Sequence, residues 1–133
     1  MKKESIIVVY DYNQTVAEEI SDMLGAEITS AQALTHRMAD NAHSYVLVMT
    51  LQEDGNLLPF WHYGLETLLN GNLSGKAFAF MVCGSDTDES CMAINHFCED
   101  IRDRGASVVG QVFYTDSHLR NLDDWIASVS PGL

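Results

Sequence analysis

The chain has 133 residues, 47 % apolar and 20 % charged, which suits one domain with a real core and argues against a disordered polymer. Nineteen acidic residues face seven basic ones, for a net charge of −12, and this argues against nucleic acid or an anionic membrane surface, both of which need a basic footprint. A basic protein partner is compatible with such a field.

Ile6 to Val9 is a continuous β-branched run, the mark of a strand buried on both faces, as in parallel sheets. In the segment NQTVAEEISDMLGAE that follows, Val16, Ile20, Met23 and Leu24 fall at helical spacing. Gly25 stands where a helix C-cap belongs. Ala26 to Thr29 reads as a short second strand. Ser30 to Ala42 has helical composition without a convincing apolar stripe. Tyr45 to Met49 is another buried strand, and TLQEDGNLLP after it is a long polar loop. Pro59 suits the first turn of a helix that FWHYGLETLLN continues.

Ala77 to Val82 is a strand that leads into the loop CGSDTDES. Cys91 to Arg104 is a helix with Ile94, Phe97, Cys98 and Ile101 inward, ended by Gly105. Ser107 to Tyr114 is the fifth strand. Leu119 to Val129 is the closing helix, with Leu122, Trp125, Ile126 and Val129 inward. Five alternations of strand and helix predict a single domain, residues 1–133, built as a doubly wound parallel α/β sheet with right-handed crossovers. Ligands of such sheets sit outside the carboxyl ends of the strands. The loops after strands one, three and four are therefore the ones to examine.

Those loops are acidic. Asp11 follows strand one, Glu53 and Asp54 follow strand three, Asp86, Asp88 and Glu89 follow strand four, and Asp116 follows strand five. They predict an acidic docking rim for a basic partner. A receiver-type phosphoacceptor site is ruled out, because strand three ends at Met49-Thr50 with no aspartate and strand five ends at Phe113-Tyr114 with no lysine.

Several stretches resemble the flavodoxin family, over nearly the whole chain. Tyr10-Asp11-Tyr12-Asn13-Gln14-Thr15 stands where that family has Ser/Thr-x-Thr-Gly-x-Thr. Asp54-Gly55-Asn56, followed by Pro59, matches its loop after strand three. LSGKAFAFMVCGSD, Leu73 to Asp86, and HFCEDIRDRGASVVG, His96 to Gly110, are similar to its fourth and fifth strand regions. The resemblance implies a five-stranded sheet in the order 2-1-3-4-5, and a small cytoplasmic electron carrier with noncovalently bound FMN. It implies a phosphate site at Tyr10, Asp11, Tyr12, Asn13, Gln14 and Thr15. The flavin ring would lie between Thr50, Leu51 and Gln52 on one side and Cys83, Gly84, Ser85 and Asp86 on the other. Carboxylates beside the ring would push its potential down.

The first loop departs from the family pattern. A helix N-terminus offers free amides whatever its side chains are, Thr15 keeps the last hydroxyl, and Asn13 suits left-handed backbone in place of glycine. Asp11 can point outward. Tyr10 and Tyr12, however, stand where small hydroxyls would line a tight cradle, and no lysine or arginine is present there. The tyrosines must swing out or fill the phosphate position themselves. A second reading therefore stays open: an interaction module that has lost FMN and binds a basic protein, with Tyr10 and Tyr12 plugging the vacated site. A flavin reductase is a third reading, but no nicotinamide site is legible.

Trp61 has two readings, a flavin-stacking ring or core packing. Cys91 and Cys98 are expected to be core thiols, since their spacing is not that of a zinc knuckle. Cys83 lies in the site loop, where neighbouring acids would raise its pKa. The three cysteines and the absence of a leader-like run after Met1-Lys2-Lys3 lead to the expectation of reduced thiols in a cytoplasm.

Overall fold

The computed structural model describes residues 6–52, 59–83, 88–110, 113–115 and 122–133, with backbone only for residues 60, 62, 88–91 and 113–115. The elements run β1 (Ile6–Tyr10), α1 (Gln14–Leu24), β2 (Glu27–Ser30), α2 (His36–Asn41), β3 (Ser44–Thr50), α3 (Phe60–Leu69), β4 (Ala77–Cys83), α4 (Asp88–Asp103), β5 (Ser107–Val108), β6 (Phe113–Thr115) and α5 (Leu122–Val129), closed by one 3₁₀ turn. All the pairings are parallel, in the order β2-β1-β3-β4-β5, with β6 also on β4. The sheet is the five-position, flavodoxin-like 2-1-3-4-5 arrangement.

Strand alternation sends side chains to two core layers. Ile7, Val9, Tyr45, Leu47, Met49, Phe78, Phe80 and Val82 pack against residues of α2, α3 and α4. Ile6, Val8, Val46, Val48, Ala79 and Met81 pack against α1 and α5. This two-sided burial is why β1, β3 and β4 are apolar at consecutive positions rather than at alternate ones. The inward residues expected on α4 and α5 are all buried.

Three expectations change. Met23 is 47 % exposed, because the buried stripe of α1 runs through Val16, Ala17, Ile20, Ser21 and Leu24. Only six residues of the 30–42 stretch become helix. Such a short helix cannot hold itself, and three side chains tie it down. Thr35 Oγ1 accepts from the Met38 amide at 3.2 Å. Lys76 Nζ, reaching from the start of β4, donates to the carbonyls of Ala39 and Asp40 at 3.0 and 3.2 Å and to Tyr45 Oη at 2.9 Å. The Tyr45 hydroxyl itself donates to the Ala39 carbonyl. Burial pulls the Lys76 pKa down, against the opposing charge of Asp40.

The third change is the fifth strand, which is interrupted. Val108 pairs with Phe78 and Phe113 with Met81, so this position advances five residues while β4 advances three. Gly110 lies between, at φ 67°, a left-handed conformation that no strand residue adopts. The residues 116–121, which include the expected start of the closing helix, lie outside the described residues.

Gly25 caps α1 at φ 63° and donates its amide to the Ser21 carbonyl, as expected. Gly105 ends α4 at φ +93°, where an added Cβ would meet Ser74 Cα at 3.2 Å. Its carbonyl accepts from the Gly75 amide at 3.0 Å. Gly105→Ala therefore combines left-handed strain with a backbone clash, and the expected loss is about 1–3 kcal/mol. A urea unfolding midpoint unchanged from the parent would contradict this.

Candidate functional site

Parallel strands in register bring their carboxyl ends to one edge. Tyr10 lies beside Val48 and Ser30, and Thr50 beside Cys83. The Leu51 amide donates to the Cys83 carbonyl at 3.0 Å. The loops after β1, β3 and β4 thus begin within hydrogen-bonding distance of one another.

Asp11 holds the first loop in place, and it does so from inside. It is only 9 % exposed, which corrects the expectation of an outward acid. One carboxylate oxygen, Oδ2, accepts from the Thr50 amide at 2.6 Å and from the Trp61 indole Nε1 at 2.7 Å. The other, Oδ1, accepts from the Tyr12 amide. A buried carboxylate costs folding energy unless donors satisfy it. Here the donors come from the loop itself, from the end of β3 and from α3. Trp61 is 1 % exposed, so its ring is core and not a free face for stacking.

The rest of the loop is arranged around that anchor. Tyr12 is 76 % exposed: it swings out and plugs nothing. Tyr10 is half-buried against the α1/α5 layer. Asn13 adopts φ −86°, not the left-handed conformation expected of it. Its side-chain Nδ2 donates to Cys83 Sγ at 3.1 Å, across 70 positions of sequence. Asn13 therefore caps no amide of α1. The Gln14 amide donates to the Tyr12 carbonyl at 3.0 Å, and the first helical bond runs from the Ala17 amide to the Asn13 carbonyl. Gln14 Nε2 turns along the helix to Glu18 Oε1 at 3.0 Å. The amides of Asn13, Thr15 and Val16 have no partner among the described residues.

Burial raises the Cys83 thiol pKa, the Asn13 hydrogen bond opposes this, and the charge of Asp11 adds to it. The acid effect expected from the sequence is present but secondary. Cys98 is buried, and burial likewise raises its thiol. Thr50 Oγ1 is shut away from solvent with no hydrogen-bond partner among the described residues, and its own amide is bound by the Asp11 anchor. Gln52 is exposed.

Of the expected site, the structure brings together Asp11, Asn13, Thr50, Leu51 and Cys83, leaves Tyr12, Gln14 and Thr15 on the outside, and adds Trp61 as a support. Gly84, Ser85 and Asp86 lie outside the described residues. So do the rim acids Glu53, Asp54 and Asp116, and the side chains of Asp88, Glu89 and Cys91. Asp11, counted among the rim acids, is not on the surface. Among the described residues no group of three His, Cys, Asp or Glu side chains could hold a metal ion. No described helix is long and apolar enough to cross a membrane.

No protein-family model matches the chain, and no curated protein matches it. Solved structures do. A flavodoxin of Fusobacterium nucleatum bound to flavin mononucleotide superposes with a TM-score of 0.76 at 16 % identity, over 98 % of this chain and 99 % of that one. A flavodoxin of Streptococcus pneumonia TIGR4 gives 0.73 at 17 %, over 97 % and 99 %. Oxidised flavodoxin 2 from Bacillus cereus gives 0.74 at 19 %, over 96 % and 94 %. At these identities the likeness is one of fold, from end to end.

Trp61→Phe keeps an aromatic ring but removes the donor to Asp11 along with part of the buried indole, at an expected cost of at least about 1–3 kcal/mol for a carboxylate left short of a partner. A thermal midpoint within a degree of the parent would show that the indole bond contributes nothing. Cys83 should alkylate with iodoacetamide more slowly than free cysteine at pH 8, because a raised pKa lowers its thiolate fraction, and the rate should climb as the pH passes 9. Peptide mapping of the labelled protein reads this directly, and a rate equal to that of free cysteine at pH 8 would refute it.

Proposed function

We propose that the protein is a small flavin-binding electron carrier that takes FMN at the carboxyl edge of its sheet. The observation that carries this reading is the end-to-end likeness to single-domain flavodoxins, one of them holding flavin mononucleotide. The likeness covers nearly all of this chain and nearly all of theirs.

One local feature suits the cofactor. The amides of Thr15 and Val16, unpartnered among the described residues, open α1 at its positive end, where a phosphate is favoured. Asn13, Thr15 and Val16 would hold the phosphate end, and Thr50, Leu51 and Cys83 would line the ring side. Bound flavin would supply the electron chemistry, and the protein would supply binding, orientation and field. The net charge of −12 suits a basic redox partner, which it would steer into contact.

A second reading draws on Tyr12, 76 % exposed. An exposed aromatic ring is a natural anchor for a protein partner, and a module that docks a basic protein without flavin would use it.

A visible absorption spectrum of freshly purified protein, followed by titration of the apo form with FMN, separates the two. The expected outcome is a flavin spectrum, or saturable quenching of FMN fluorescence, with reversible bleaching by dithionite and air. A colourless protein that leaves FMN fluorescence untouched at high concentration would remove the carrier reading and leave the docking module.

A further inference from the structure

We infer that Asp11 makes this flavin site nearly indifferent to the phosphate, so that the protein binds riboflavin about as well as FMN. The inference rests on the flavin reading above and names the ligand class of that site more closely.

The donors of the first loop are largely committed. The Tyr12 amide is taken by Asp11 Oδ1 and the Gln14 amide by the Tyr12 carbonyl. Asn13 Nδ2 is taken by Cys83 Sγ and Gln14 Nε2 by Glu18. From Tyr10 to Val16 there is no lysine or arginine. A phosphate dianion arriving here would find the amides of Asn13, Thr15 and Val16 and the Thr15 hydroxyl. It would also find a buried carboxylate already seated within the loop. Like charges at close range in a partly buried setting repel strongly, and stripping water from a dianion needs more donors than remain. The loop thus carries a buried anion of its own.

Asp11 cannot turn away to make room. Its two oxygens are tied to the end of β3, to α3 and to its own loop, and releasing them would leave the Trp61 indole and the Thr50 amide without their acceptor. Specificity is a difference of affinities, and here the phosphate adds attraction and repulsion in similar measure.

The test is paired titration of the full-length apo protein with riboflavin and with FMN, by fluorescence quenching, at low and high salt. The two dissociation constants are expected within about tenfold of each other, about 1.4 kcal/mol or less. Added salt should tighten FMN and leave riboflavin unchanged, since screening weakens repulsion between like charges. Asp11→Asn keeps the shape of the side chain and removes its charge, so it should raise the preference for FMN over riboflavin by about tenfold. The preference is a ratio, so a partly unfolded variant, which weakens both ligands alike, does not disturb it. FMN binding more than about tenfold tighter than riboflavin in the parent, with salt weakening it, would overturn the inference while leaving the flavin reading intact. An unchanged ratio in the variant would also overturn it. Failure of both ligands to bind would remove the flavin reading, and the inference with it.

Discussion

A carboxylate withdrawn from water must be met by donors, and Asp11 is met by three, each from a different part of the chain. The Thr50 amide closes the end of β3, the Trp61 indole reaches out of α3, and the Tyr12 amide folds the loop back on itself. The consequences spread outward. Trp61 is fixed as a core residue, the turn from β1 into α1 takes its shape from a bond within the protein, and Tyr12 is left facing solvent. Cutting any one of these bonds strands part of a buried charge, which costs more than the bond contributes when made.

Beyond that anchor, the carboxyl edge is held by bonds that cross large separations in sequence. Asn13 reaches Cys83, and Leu51 reaches the Cys83 carbonyl. Both depend on the parallel register of β1, β3 and β4, which the two core layers enforce from either face. The site is therefore a product of the sheet more than of any single loop. The side chains of its first loop can depart from the family pattern while the edge keeps its form. The same arrangement explains why the polar inventory is spent inward: amides and a side-chain amide that would face a ligand instead stitch the edge together.

Much of the architecture was legible in the residues. Continuous β-branched and aromatic runs at Ile6 to Val9, Tyr45 to Met49 and Ala77 to Val82 leave little choice but strands covered on both faces, and Gly25 and Gly105 mark helix ends through their backbone freedom. The interruption of the fifth strand was signalled only by Gly110, one small residue in an otherwise strand-like stretch. Met23 sits at the margin of a helical stripe, where spacing alone does not decide exposure. The site was harder to read. That an aspartate in a polar turn points inward depends on Trp61, fifty positions away, and no local pattern records such a partnership. Asn13 was legible as a turn residue, but its attachment to Cys83 exists only once β1 and β4 lie two strands apart in one sheet.

The broken fifth position has a further effect, on how the molecule behaves in a crowd. The outer strand of an open sheet presents an unpaired row of amides and carbonyls that invites another chain to add to it. Among the described residues that border shows pieces of two and three residues on either side of Gly110, and the opposite border, β2, is only four residues long. Among the described residues, neither offers a ladder long enough to template growth. A sheet whose interior strands are as apolar as these carries an aggregation hazard if it is ever uncovered from the side, and the kink at Gly110 limits that hazard without adding a single charge.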